Sequence, residues 1–217
     1  MTNPEFSIEF DILYNNISSN KAPGLNEYEK SVFLTKAQEQ IVTELYSGRN
    51  TTYNSFEETE EQRRYLHSLI TTSSLEESTD TDDIITSNSS IYKLPENIMF
   101  ITYETAILIG NKEVTVYPVS QDELSKIIKN PFRGPSNNRV LRLDLGNNSI
   151  EVISNYDITK YLIRYIRKPN PIILTDLEDE LSINGVAEES ECELDSSLHR
   201  TILDRAVALA LQTMYSK

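Results

Sequence analysis

The sequence predicts an α+β chain: a helical bundle from N- and C-terminal helices with an inserted small antiparallel β-sheet module. Three observations predict it. Apolar residues recur at helical spacing near both ends, as Phe6, Phe10, Leu13, Tyr14 and Ile17, and as Ile202, Leu203, Ala206, Leu209, Ala210 and Met214. From Ile98 the pattern changes to β-branched and aromatic runs. Between these lie polar, acidic stretches, and the apolar share of the 217 residues is 38%, below a globular norm of roughly 45–50%. The expected organisation is a three-helix wall over 1–70, an acidic polar insert over 71–97, the β module with one short helix over 98–168, an acidic loop over 169–195, and a C-terminal helix over 196–217 that packs on the N-terminal bundle.

Each element has its local signals. Asn3 can cap the first helix and Pro4 suits its first position. Pro23-Gly24 marks a turn, and Asn26 with Glu29 forms the pattern of a capping box for a second helix that Gly48 can end. Its stripe runs Val32, Phe33, Ala37, Ile41, Val42, Leu45 and Tyr46. A third, more polar helix is expected over 56–70. Thr71 to Ser90 reads as a surface loop, because only Leu75, Ile84 and Ile85 could anchor it. Strands follow over 98–109 and 114–119. Ser120 then caps a short helix with Glu123 at its third position, and Pro131 ends it. The clearest hairpin joins 139–145 to 150–154 across Gly146-Asn147-Asn148, with Leu141, Leu143 and Leu145 on one face and Arg142 and Asp144 on the other. A last strand covers 161–167, and Asp195 or Ser196 opens the closing helix.

Composition excludes several classes. Lys+Arg 20 against Asp+Glu 34 leaves a net charge of −14, which disfavours wrapping DNA or lying on an anionic membrane. No run of about 18 apolar residues is present for a membrane span, and no basic leader opens the chain. The single Cys192 excludes a disulfide framework and a Cys/His zinc quartet. Asp80, Asp82 and Asp83 lack the Gly and Glu of a calcium loop. His67 and His199 read as solvent-facing, and Ser196 and Ser197 as helix caps rather than nucleophiles. Cys192, between Glu191 and Glu193, reads as a thiol with a raised pKa. No Gly-rich phosphate cradle is present. The expectation is a non-enzyme with no cofactor and no metal.

Charge is segregated along the chain. Lys129, Arg133, Arg139, Arg142, Lys160, Arg164, Arg167 and Lys168 face only Asp144, Glu151 and Asp157, so this stretch carries +5. From Pro169 to Asp195 nine acids and no base give −9. Two arrangements satisfy this: neutralisation within one subunit, or a head-to-tail contact between neighbouring subunits that weakens with salt. For the second, the expected interface residues are Arg133, Arg139, Arg142, Arg164 and Arg167 on one side and Glu178, Asp179 and Glu180 on the other.

A family resemblance sharpens this. The stretches Glu9-Phe10-Asp11-Ile12-Leu13-Tyr14-Asn15-Asn16-Ile17, Ala22-Pro23-Gly24-Leu25-Asn26-Glu27-Tyr28-Glu29-Lys30 and Phe33-Leu34-Thr35-Lys36-Ala37-Gln38 resemble the start of head-to-tail connector (neck ring) proteins of crAss-like tailed phages. Leu198-His199-Arg200 and Ile202 to Ala210 resemble the closing helix of such proteins. The resemblance covers about a third of the chain, at both ends, and consists of packing motifs without a catalytic signature. It implies a virion structural protein in a ring, usually twelvefold, that extends the portal channel and joins the capsid vertex to the tail. The implied partners are the portal and adjacent connector or tail proteins. Genomic DNA would pass through without sequence-specific binding, and assembly would take place in the bacterial host cytoplasm. Acidic residues suited to line such a channel are Glu76, Glu77, Asp80, Asp82, Asp83, Glu188 and Glu189. The alternatives are a tail-side or head-completion protein of the same virion, and an acidic DNA mimic acting on a host factor.

Overall fold

The computed structural model describes residues 1–18, 23–48, 60–78, 86, 88–178 and 180–215. In chain order the first elements are α1 (Asn3–Ser18), α2 (Glu27–Ser47), α3 (Glu60–Tyr65), β1 (Ile70–Leu75) and β2 (Ser89–Lys93). Next come β3 (Ile98–Leu108), β4 (Lys112–Val119), α4 (Gln121–Ile128), β5 (Arg139–Gly146), β6 (Ser149–Ile153), β7 (Ile158–Arg167) and α5 (His199–Tyr215). They form two units: Met1–Leu69 with Lys168–Lys217, and Ile70–Arg167.

The first unit is helical. Phe6, Phe10 and Tyr14 are buried on α1, Leu34, Ala37, Ile41, Val42 and Leu45 on α2, and Ile202, Leu203, Ala206 and Ala210 on α5. The capping box of α2 forms: Glu29 N donates to Asn26 Oδ1 at 2.8 Å, and Asn26 N to Glu29 Oε2 at 2.9 Å. Gly48 ends the helix at φ 62°, in the left-handed region where a Cβ would be strained. Asn3 differs from expectation. It lies inside α1, Thr2 supplies the first carbonyl to Phe6 N at 3.0 Å, and the Asn3 amide reaches away to Ile173 O at 3.0 Å.

A polar seam on α2 was not read from the sequence. Ser31, Thr35 and Gln38 lie on its buried side. Leu174 N donates to Ser31 Oγ at 3.0 Å, Ile172 N to Thr35 Oγ1 at 3.0 Å, and Gln38 Nε2 to Asn170 O at 2.9 Å. Pro171–Leu174 is thereby buried with side chains of a helix satisfying its backbone, as a buried segment outside a sheet requires.

The second unit corrects the fold class. It is a curled seven-stranded mixed sheet in the order β1-β7-β3-β4-β5-β6-β2, so the chain is mostly this sheet with a few helices. It is neither a small sheet nor an antiparallel one, and the chain is not a helical bundle carrying an insert. Two causes are visible. β4 and β5 pair in parallel, Thr115↔Arg139 to Val119↔Leu143, because the chain crosses between them through α4, and a crossover helix returns a strand in parallel. β1 and β2 add two strands from sequence that reads as loop. Both pair through backbone, Ile70↔Ile166 to Leu75↔Tyr161 and Ser89↔Ile153 to Lys93↔Ser149.

The curl follows from one contact. In a flat sheet β7 and β2 would stand about 24 Å apart, at ~4.8 Å per strand. Yet the rings of Tyr92 on β2 and Tyr161 on β7 stack at 4.9 Å. The chain just past β1 also meets β2, through the Glu77–Tyr92 bridge and Ser78 N to Ile91 O at 2.7 Å. Inside the curl lie Leu75, Ala106, Leu108, Val114, Val116, Val140, Ile150, Val152, Ile163 and Tyr165 with those two tyrosines. On the other face α4 sets Leu124 against Leu141, Leu143 and Ile153. β5 is therefore covered on both faces, and the Arg142 side of the predicted alternation points inward.

Candidate assembly surfaces

The basic and acidic stretches hold the residues expected at subunit contacts. Arg142 lies inside: its side chain is 11% exposed, and Nη1 donates to Glu104 Oε1 at 2.9 Å. Tyr161 OH donates to the same oxygen at 2.7 Å, and burial, then Glu104, pushes its pKa far above the ordinary phenol value, so it remains a donor. Burial alone would lower the Arg142 pKa, but Glu104 outweighs it and holds the guanidinium above its ordinary value. Arg142 is thus an internal ion-pair residue in the isolated chain, with no surface to offer. Glu151 is internal as well, accepting from Thr86 N at 2.9 Å and from the hydroxyls of Thr86 and Ser89 at 2.6 Å each.

Arg133 and Arg139 are brought together, on a turn that follows α4. Asn130 Oδ1 accepts from Phe132 N at 2.9 Å and Arg133 N at 3.3 Å, and Gly134 N donates to Asn130 O at 2.8 Å. Arg139 Nη1 donates to Phe132 O at 2.6 Å, and Asn155 Nδ2 to Pro135 O at 2.9 Å. A Cβ on Gly134 would stand 2.9 Å from Asn130 O and 3.0 Å from Ile128 O, so the turn closes this tightly only with glycine. The guanidinium of Arg139 lies 4.9 Å over the Tyr117 ring, a cation–π contact worth about 0.5–1 kcal/mol at an exposed site. At the apex Phe132 is 86% exposed. The Asn-Pro-Phe-Arg-Gly-Pro run was its signal in the sequence: a braced turn around an aromatic–arginine pair.

Arg164 and Arg167 are not part of this group. They lie on β7, three strands from β5 in the sheet order. Arg164 is exposed with Nε 3.4 Å from Thr72 Oγ1, and Arg167 is half-buried.

The expected acidic loop is folded. Ile173 bridges Ser190, and Ile183 bridges Val186 across Asn184-Gly185, both left-handed at φ 53° and 81°. Leu177 N donates to Ala187 O at 2.8 Å, and Glu189 N to Asp176 Oδ1 at 2.7 Å. Asn3 Nδ2 donates to Glu189 Oε1 at 2.9 Å, which ties this hairpin to α1. Glu178, Glu180 and Glu188 are exposed. Glu180 adopts φ 61°, a conformation costing a non-glycine residue about 1–2 kcal/mol, and Leu181 beside it is 41% exposed. Asp179 lies outside the described residues, as do Asp80, Asp82 and Asp83. Glu76 and Glu77 are exposed just past β1.

The residues with nucleophile or base chemistry have structural partners. His67 is exposed. His199, expected to face solvent, is 7% exposed, because the first turn of α5 packs against α1 and sets its ring 5.5 Å from Phe6. Its Nε2 donates to Leu194 O at 3.1 Å, and Nδ1 accepts from the amino group of Met1. Burial lowers its pKa below 6.5, with the Met1 ammonium adding to the shift. Ser197 donates through N and Oγ to Asp195 Oδ1, at 2.9 and 2.7 Å, as part of the cap leading into α5. Burial pushes the Cys192 thiol up to about 11, with Glu193 contributing. Among the described residues no three His, Cys, Asp or Glu side chains come together as a metal site, and no helix is long and apolar enough to cross a membrane.

Comparison with known proteins finds phage tail ring proteins. The family described as phage tail ring protein 3/4 matches residues 1–217. Ring protein 3 of Bacteroides phage crAss001 is 49% identical over 219 residues, covering 97% of this chain and 95% of that protein. Ring protein 4/5 of the same phage is 39% identical over 217 residues, covering 95% of this chain and 90% of that protein.

Proposed function

The chain belongs to the phage tail ring protein 3/4 family of crAss-like phages, and from that membership we propose that it forms one ring of the head-to-tail connector. As a member it is a structural ring component of a phage virion. The finer reading is a homo-oligomeric ring that extends the portal channel, passes genomic DNA and joins the capsid vertex to the tail without catalysing a reaction. Twelve copies is the count the neck-ring resemblance implies. The observation that carries the reading is the full-length family match joined to oppositely charged, exposed surfaces on one chain. Acidic groups such as Glu76, Glu77, Glu188 and Glu189 would line the channel, where like charge keeps DNA from adhering. Membership in a family of ring proteins disfavours the acidic DNA mimic.

The family's description as tail ring proteins favours a second placement, on the tail side of the connector. Electron microscopy of the purified protein, alone and mixed with the portal protein of its phage, separates the readings. Rings that stack on the portal support the connector position. Rings that ignore the portal but join tail proteins move the assignment to the tail side, and a protein that forms no ring under either condition overturns both.

A further inference from the structure

We propose that Phe132, carried on the Asn130–Gly134 turn, docks against Leu181 on the acidic hairpin of a second copy of this chain, with Arg133 and Arg139 facing Glu178 and Glu180. The inference rests on the ring reading above and names the contact that would build the ring.

Four features favour it. Phe132 is the most exposed of the large apolar side chains among the described residues, at 86%, and the bonds from Asn130, Gly134, Arg139 and Asn155 fix the backbone of its turn before any partner arrives. A turn already held in one conformation loses little backbone freedom on binding. Aromatic and arginine side chains are also the residues in which interface energy concentrates. Leu181 offers a matching apolar surface, flanked by carboxylates where Phe132 is flanked by guanidiniums. Opposite charge at the rim would steer the encounter and set its register.

The occupant is a second copy because the two surfaces are different and complementary. Two turns meeting each other would bring Arg133 and Arg139 against their own kind, which disfavours a two-fold contact. Turn against hairpin is heterologous, and a heterologous contact repeated head to tail closes into a ring when its rotation allows.

The test uses the full-length chain, with mass by light scattering and imaging at one low salt concentration. Phe132→Asp, Arg133→Glu and Glu180→Arg should each raise the concentration needed for assembly at least tenfold. Circular dichroism of each variant separates failed assembly from failed folding. The chain carrying Arg133→Glu with Glu180→Arg should regain rings, because that charge pair is restored with its signs exchanged while Arg139 still braces the turn. Wild-type rings with variants that assemble equally well would overturn this contact and leave the ring reading intact. Variants that lose the ring without recovery in the double exchange would overturn the Phe132–Leu181 pairing in favour of another partner surface. A wild-type chain that stays monomeric both alone and mixed with the portal protein would overturn the ring reading itself.

Discussion

On β5, Arg142 is 11% exposed and held by Glu104 inside the curled sheet, whereas Arg139, three residues earlier, lies over Tyr117 beside the exposed Phe132 turn. Both belong to the same basic stretch, and charge alone treats them alike. Their placement separates them: Arg142 follows Val140 on the inner face of the strand, while Arg139 stands at the strand's start, where the chain leaves the turn. One guanidinium therefore acts on the stability of a subunit, and the other is available to act on assembly. The two can be perturbed independently, and the expected effects run from large to small.

Arg142→Ala should have the largest effect. It leaves the Glu104 carboxylate buried without its cation, which costs about 3–5 kcal/mol by the behaviour of buried pairs, read as a lower midpoint in urea unfolding. A triple substitution, Arg142→Met with Glu104→Met and Tyr161→Phe, should recover most of the loss, because it leaves no donor of this cluster without its acceptor. The pair is imperfectly satisfied already, since Arg142 Nε has no hydrogen-bond partner among the described residues. Next comes Tyr161→Phe, which removes one donor to the same carboxylate and should cost about 1.5–3 kcal/mol in the same measurement.

These effects show where sequence was legible. Alternation along 139–145 gave the correct faces of β5, and Asn26 with Glu29 gave the start of α2, because both signals are local. The curl was hidden because Ser/Thr-rich β1 and β2 are edge strands that pair through backbone, and composition there reads as loop. The parallel β4–β5 pair was hidden in the expectation of a simple antiparallel sheet, although the intervening helix was legible. Ser31, Thr35 and Gln38 were missed because they hydrogen-bond backbone more than 130 residues away in sequence. Charge counting placed Arg133, Arg139, Arg142, Arg164 and Arg167 on one interface, but the fold distributes them among a turn, the interior side of β5 and the separate strand β7.

A pH titration extends the comparison to the helical unit. Burial holds the His199 pKa below 6.5, so the unfolded chain binds more protons there and stability rises with pH. The contribution is complete above the unfolded value of 6.5 and is lost as pH falls from it toward the lower folded value. Unfolding free energy measured across that window should fall with acidification in the wild type, and less steeply in His199→Gln. The smallest effect on the subunit belongs to the exposed Arg133. Arg133→Ala should change unfolding by about 0.5 kcal/mol or less, as surface substitutions do, while assembly weakens markedly.

The central claim is that this chain closes into a ring through contacts between its own opposite charges. Its most direct test is mass by light scattering at low and high salt, with particles imaged from the same peak. Ring-sized particles are expected at low salt, losing mass as salt rises and charge is screened. A monomer whose mass is the same at both salt concentrations would contradict it.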